Sequence, residues 1–172
     1  MNSKRRPFSG REYPLTRCSL ALLEDAVDAC EMAGMLAGQE PWRTLRYTAA
    51  SLASYLERDD PALRRFRIVA GAANVGIVCM RYPWLRGPYI ELIGFAPAGQ
   101  RQGLGGDVVT WIEQEVRCEA ANLWALVSSF NAPARRFYAK HGFIEIAALN
   151  ELVASGYDEI LLRKRLGKCA WT

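Results

Sequence analysis

The sequence predicts a mixed α/β domain built around one sheet. Three observations predict it. Apolar residues recur at helical spacing in the first third, then fall into short strand-like runs between Phe66 and Phe95. The strongest helical stripe, Leu104, Val108, Ile112 and Val116, is followed by the continuous apolar run Leu123 to Val127, which suits a central strand. With 51% of its 172 residues apolar, the chain can bury one sizeable core.

Met1 to Gly10 carries Lys4, Arg5 and Arg6 with no apolar stretch behind them, so residues 1–12 read as a flexible basic arm rather than a secretory signal. That leaves 13–172 as a single domain. Tyr13 to Cys18 is the first expected strand. Leu20 to Ala37 follows as a helix, with Ser19 as N-cap, Gly38 beyond its end, and Leu22, Ala26, Ala29 and Ala33 on one face. A second helix is expected over Ala49 to Arg58, ended by Asp59, Asp60 and Pro61. Phe66 to Ala70 and Gly76 to Arg81 read as antiparallel strands turning near Ala73 and Asn74, and Pro88 to Phe95 as a more buried third. The helix Gly103 to Val116, the strand Leu123 to Val127, the short helix Pro133 to His141 and the strands Phe143 to Ala148 and Ile160 to Leu162 complete the order β-α-α-β-β-β-α-β-α-β-β.

Composition excludes several classes. A net charge of +4, from 22 basic and 18 acidic residues, is a mild excess that suits a small anionic ligand and not a nucleic-acid surface. No apolar run reaches the length of a membrane span. The five cysteines form no C-x-x-C pair and there is one histidine, so no metal site is expected. Such a scattered, odd set reads as the reduced thiols of a cytoplasmic protein.

Two segments carry chemistry. Gln100-Arg101-Gln102-Gly103-Leu104-Gly105-Gly106 lies between a strand and the strongest helix. The first turn of a helix has backbone N–H groups without intrahelical partners, and its dipole favours an anion. Glycines there let a diphosphate approach the backbone, and Arg101 adds a cation. A glycine-rich turn that only permits tight packing is the alternative. The segment is not a P-loop, since no Lys-Ser/Thr follows, and Val108 stands where a dinucleotide fingerprint needs its third glycine. The second segment is Asn131 to Phe143. Asn131 suits an N-cap, Pro133 a first turn and Gly142 the C′ position. Tyr138 either fills the core or points its hydroxyl into a cleft, where a phenol of ordinary pKa about 10 can protonate a leaving thiolate.

Together these segments resemble the GNAT N-acetyltransferase superfamily. Gln100-x-x-Gly103-x-Gly105 resembles its pyrophosphate motif, Phe95-x-Pro97 its preceding strand end, and Asn131, Tyr138 and Gly142-Phe143 its second cofactor motif. The resemblance is specific from about Phe66 to Arg165. It implies a mostly antiparallel sheet with splayed central strands and helices on both faces, and acetyl-CoA as co-substrate. It further implies that Ile93, Gly94 and Phe95 lie along the pantetheine, with Gly94 marking the bulge that splays the strands. Arg101, Gln102, Gly103, Leu104, Gly105 and Gly106 would hold the pyrophosphate. Asn131 would contact the pantetheine arm, and Tyr138 would protonate the sulfur.

The reaction so implied is direct attack of an amine on the thioester. Glu91, four residues before Phe95, is the candidate base, with an exposed strand carboxylate as the alternative. The acceptor is an amine of a small molecule or a peptide. Trp42 could wall its pocket or fill the core. Glu24, Asp28 and Glu31 could attract a cationic amine or form a solvated face. Tyr82, Trp84 and Tyr89 could line the acceptor side or form a homodimer contact. A module that binds acyl-CoA without turnover is the rival reading, and Tyr138 is the feature such a module need not keep.

Overall fold

The computed structural model describes residues 6–167. In chain order the elements are strands β1 (Glu12–Pro14) and β2 (Ser19–Leu22), helices α1 (Ala26–Ala37) and α2 (Ala49–Glu57), strands β3 (Leu63–Ala70), β4 (Ala73–Trp84) and β5 (Gly87–Phe95), helix α3 (Leu104–Glu115), strand β6 (Asn122–Ser128), helix α4 (Ala132–Lys140), and strands β7 (Ile144–Ala154) and β8 (Tyr157–Arg165). The strands form one sheet in the order β1-β2-β3-β4-β5-β6-β8-β7. Every pairing is antiparallel except β5 with β6.

Each face of the sheet has its own core. The stripe Leu104, Val108 and Ile112 of α3 continues into Val116, and all four residues are buried against Phe66, Ile68, Val78, Ile90 and Leu123 on one face. Ala29, Met32, Ala33 and Leu36 of α1 pack with Leu52 and Leu56 of α2 over Ile77 and Cys79 on the other. Helices therefore flank both faces, as the resemblance implies.

The N-terminal segment departs from expectation. Ser19 to Leu22 is strand rather than the start of a helix, with Leu20 fully buried and paired to Ile68. The helix begins only at Ala26, where Asp25 caps it by accepting from the Asp28 N–H at 2.8 Å. Ala26 is consequently exposed and outside the apolar face. A four-residue strand with a single fully buried position merges, in sequence, with the helical pattern behind it. The segment expected as a flexible arm is anchored at Phe8. Its ring is fully buried, edge-on to Tyr82 and Trp111, and its N–H donates to Glu115 at 2.8 Å. Residues 1–5 of that arm lie outside the described residues.

Strands β7 and β8 run longer than their apolar cores suggest, because the β7–β8 hairpin extends past the sheet with most of β7 exposed. Cys18, Cys30 and Cys79 are free thiols, whereas Cys118 is disulfide-bonded, against the expectation of a wholly reduced set. Among the described residues no helix is long and apolar enough to cross a membrane.

Candidate active site

Strands β5 and β6 pair through only two positions, Tyr89 with Trp124 and Ile90 with Ala125. At that end they are clamped together. The Asn122 carbonyl oxygen approaches so closely that a Cβ on Gly87 would stand 1.9 Å from it. Beyond Ile90 the strands diverge, and a cleft of about 1270 Å³ opens between them.

The bulge that accompanies this divergence lies at Glu91. Cys79 pairs with Leu92 and Met80 with Ile90, which leaves Glu91 as an extra residue on β5. Gly94, expected as the bulge, pairs in register with Ile77. Its lack of a side chain has another cause: a Cβ there would meet Leu36 Cδ2 at 2.3 Å and Trp42 Cη2 at 2.8 Å. The bulge also separates Glu91 from Phe95. Phe95 packs against the α3–α4 core, whereas Glu91 turns to α2, accepting from the Tyr55 hydroxyl at 3.0 Å and from Arg81 Nε at 2.5 Å. Arg81 in turn pairs with Asp60 at 2.9 Å, and both acids hold its guanidinium above its ordinary pKa. Both Glu91 oxygens are thus engaged at the cleft wall.

The glycine turn sits at the cleft mouth. Gly103, at φ 80°, caps α3 in the left-handed region that disfavours a side chain. Gly105 and Gly106 serve packing, since Cβ atoms there would fall 2.9 Å from Phe137 Cε2 and 2.9 Å from His141 Cε1. The backbone N–H groups of Arg101, Gln102, Gly103, Leu104 and Gly105 have no acceptor among the described residues, while those of Gly106 and Asp107 bond back to the Gly103 carbonyl. Five consecutive donors without acceptors, at the positive end of a twelve-residue helix, fit a diphosphate. Packing accounts for Gly105 and Gly106, and the amides without acceptors leave the turn able to receive an anion.

Ile93, Gly94, Phe95, Arg101, Gly103, Leu104, Gly105, Gly106 and Asn131 all border the cleft. Gln102 does not, because its side-chain amide turns back to donate to the Ala98 carbonyl. Asn131 caps α4, accepting from the Ala134 N–H at 3.2 Å, as its position suggests. Tyr138 lies in the same cleft, its ring edge-on to Phe137 and Phe143 at 5.2 and 5.0 Å. Its hydroxyl makes no hydrogen bond among the described residues. Burial, with Tyr89 nearby, pushes the phenol well above its ordinary pKa, so it stays protonated across the neutral range.

Sequence reasoning missed two residues of this cleft. Arg17, in the turn between β1 and β2, lies over the glycine turn. It bonds the Gly103 carbonyl at 3.4 Å and pairs with Asp107 at 2.8 Å. Glu159, on β8, is buried beneath the far wall. Neither carries a local motif; each arrives through a long-range contact.

The acceptor-side expectations divide. Trp42 both borders the cleft and packs on the α1–α2 core. Glu24, Asp28 and Glu31 are occupied by Arg11, Arg67 and Asn74. Tyr89 borders the cleft, stacked on Trp84 at 4.7 Å, while Tyr82 packs with Phe8 instead.

A model of the acetyltransferase (GNAT) family matches residues 22–143. No curated protein matches the chain. Among solved structures, the ribosomal-protein-S18-alanine N-acetyltransferase from Escherichia coli is 19% identical, with 90% of this chain and 97% of that one covered at a TM-score of 0.68. Mycobacterium smegmatis RimJ in complex with CoA-disulfide is 16% identical, with coverage of 94% and 90% and a TM-score of 0.69. Nourseothricin acetyltransferase is 26% identical, with coverage of 63% and 68% and a TM-score of 0.57.

Proposed function

The chain belongs to the acetyltransferase (GNAT) family, and from that premise we propose that it moves an acetyl group from acetyl-CoA to a primary amine by direct attack, with both substrates held in the cleft. The observation that carries this reading is the conjunction, in one cleft, of five amides without acceptors at the start of α3 and the Tyr138 phenol. Acetyl-CoA supplies an activated acyl group and a thiol that leaves.

The chain's own residues have distinct tasks. The amides of residues 101–105 and the Arg101 side chain receive the diphosphate. Ile93, Gly94 and Phe95 form the wall along which the pantetheine arm extends, and Asn131 borders it from α4. Tyr138 donates its proton to the leaving sulfur. General acid help of this kind is worth about 10²–10⁴ in rate. Holding amine and thioester together in one cleft supplies the entropic part of the acceleration.

A small acceptor is favoured over a long peptide. The acceptor end is bounded by Trp42, Tyr55 and Tyr89, which suits a compact molecule with an apolar part. The name of nourseothricin acetyltransferase, the most identical of the three structures above, points the same way. Thiol release from acetyl-CoA, followed across a diamine, an amino acid, an amino sugar and a short peptide, tests the activity and the acceptor class together. Binding of coenzyme A without release of thiol for any amine would favour a non-catalytic module.

A further inference from the structure

We propose that Glu159 is the base that takes the proton from the acceptor amine, an assignment that rests on the acyl-transfer reading of the same cleft. Three features of the structure argue for it.

The first is position. β8 crosses β6 in the register Ser128 with Glu159, so both residues stand where β6 has diverged from β5, and both border the cleft. Tyr89 and Tyr138 border the same cleft as Glu159.

The second is availability. Ser128 Oγ donates to Glu159 Oε1 at 2.6 Å, and Oε2 has no partner among the described residues. No cation pairs with Glu159 there either. Of the other cleft carboxylates, Glu91 has both oxygens taken by Tyr55 and Arg81, Glu40 pairs with Arg43, and Asp107 pairs with Arg17. A proton accepted by Glu91 would disrupt an ion pair; one accepted by Glu159 would disrupt nothing.

The third is basicity. Glu159 is a buried residue at the cleft wall, and desolvation raises its pKa while the Ser128 hydroxyl lowers it in part. A base poised above the ordinary glutamate range is better matched to an amine. Tyr89 on β5 and Tyr138 on α4, both neutral, border the same cleft, as do Glu91, paired with Arg81, and Lys140 and His141 at the end of α4, where burial and the nearby lysines hold the imidazole below its ordinary pKa.

The steps balance. An acceptor ammonium gives one proton to the Glu159 carboxylate, and the freed lone pair forms the N–C bond. The C–S bond breaks as the sulfur takes the Tyr138 proton. The second nitrogen proton returns to the phenolate, and Glu159 sheds its proton to water.

Glu159→Gln keeps the acceptor for Ser128 and removes the base. With the most active amine it should lower kcat/KM at neutral pH at least tenfold and abolish the acid limb of the pH–rate profile, with coenzyme A binding by calorimetry unchanged. Ser128→Ala removes the bond that lowers the carboxyl pKa, so its acid limb should move to higher pH. Wild-type rates and limb in Glu159→Gln would overturn the assignment alone. A wild-type protein that binds coenzyme A but releases no thiol with any amine would overturn the acyl-transfer reading, and this role with it. Should Glu159→Gln fail to fold, an unmoved limb in Ser128→Ala overturns the assignment and a moved one supports it.

Discussion

Gly94 lies directly beneath Trp42: a Cβ on the glycine would stand 2.8 Å from the indole Cη2, with Leu36 closer still. This contact holds the last turn of α1 and the following loop against β5. Gly94→Ala should destabilise the fold by about 1–3 kcal/mol, the usual cost of overpacking. Because Trp42 also borders the cleft, the variant should raise KM for the amine more than for acetyl-CoA. Urea unfolding and the two KM values check both parts.

Tyr138→Phe keeps the ring between Phe137 and Phe143 and removes only the hydroxyl, which has no partner among the described residues. Stability and coenzyme A affinity should stay near wild type while turnover falls at least tenfold. Equal turnover in steady-state assays would remove the phenol from the mechanism.

Arg17→Ala removes a cation from beside the amides and leaves Asp107 with only the backbone N–H of residue 17, next to the proposed anion site. Coenzyme A affinity should fall several-fold. The deficit should shrink at high salt, where exposed charges are screened over about 3 Å at 1 M. Calorimetry at low and high ionic strength measures it.

Gly103→Ala forces a side chain into a left-handed conformation, costing about 1–2 kcal/mol. It also places a methyl 2.7 Å from Arg17 Nη1. Coenzyme A binding should weaken at least tenfold. In an Arg17→Ala background the steric part vanishes and the backbone part remains, so the two losses should be less than additive.

Glu159 also makes stability depend on pH. Burial raises its folded-state pKa above the ordinary glutamate value, so the folded chain holds this proton more tightly than the unfolded one. That contribution is full below the ordinary glutamate range and is lost as pH rises through the folded-state value. Glu159→Gln has no such loss, so its stability relative to wild type should grow from about pH 4 to about pH 8. Paired urea titrations at the two pH values decide it.

What was legible in the sequence was what is written locally. The stripe of α3, the cap at Asn131 and the glycine at the end of α4 each follow from spacing over one or two turns, and each stands where expected. Leu20 was misread because a short strand runs into a helix with too little punctuation between them. Gly94 was rightly singled out but for the wrong reason: its neighbour across the gap is Trp42, fifty-two positions earlier, not an irregularity in its own strand. Glu159 depends on one register between distant strands, and a single-residue slip would turn it to the other face. Arg17 reaches Asp107 across ninety positions. Such pairings leave no periodic trace.

Tyr89 with Trp124 and Ile90 with Ala125 are the two ladder positions that pair the β1–β5 half of the sheet with the β6–β8 half, with the Ala121 N–H to the Arg86 carbonyl and the Trp124 indole to the Leu85 carbonyl beside them at the same end. A molecule bridging the gap beyond them acts as a splint, tying together two leaves that share little backbone of their own. Occupancy should therefore be felt far from the ligand, as slower amide exchange in β6 and β8 and a steeper, more unified unfolding transition.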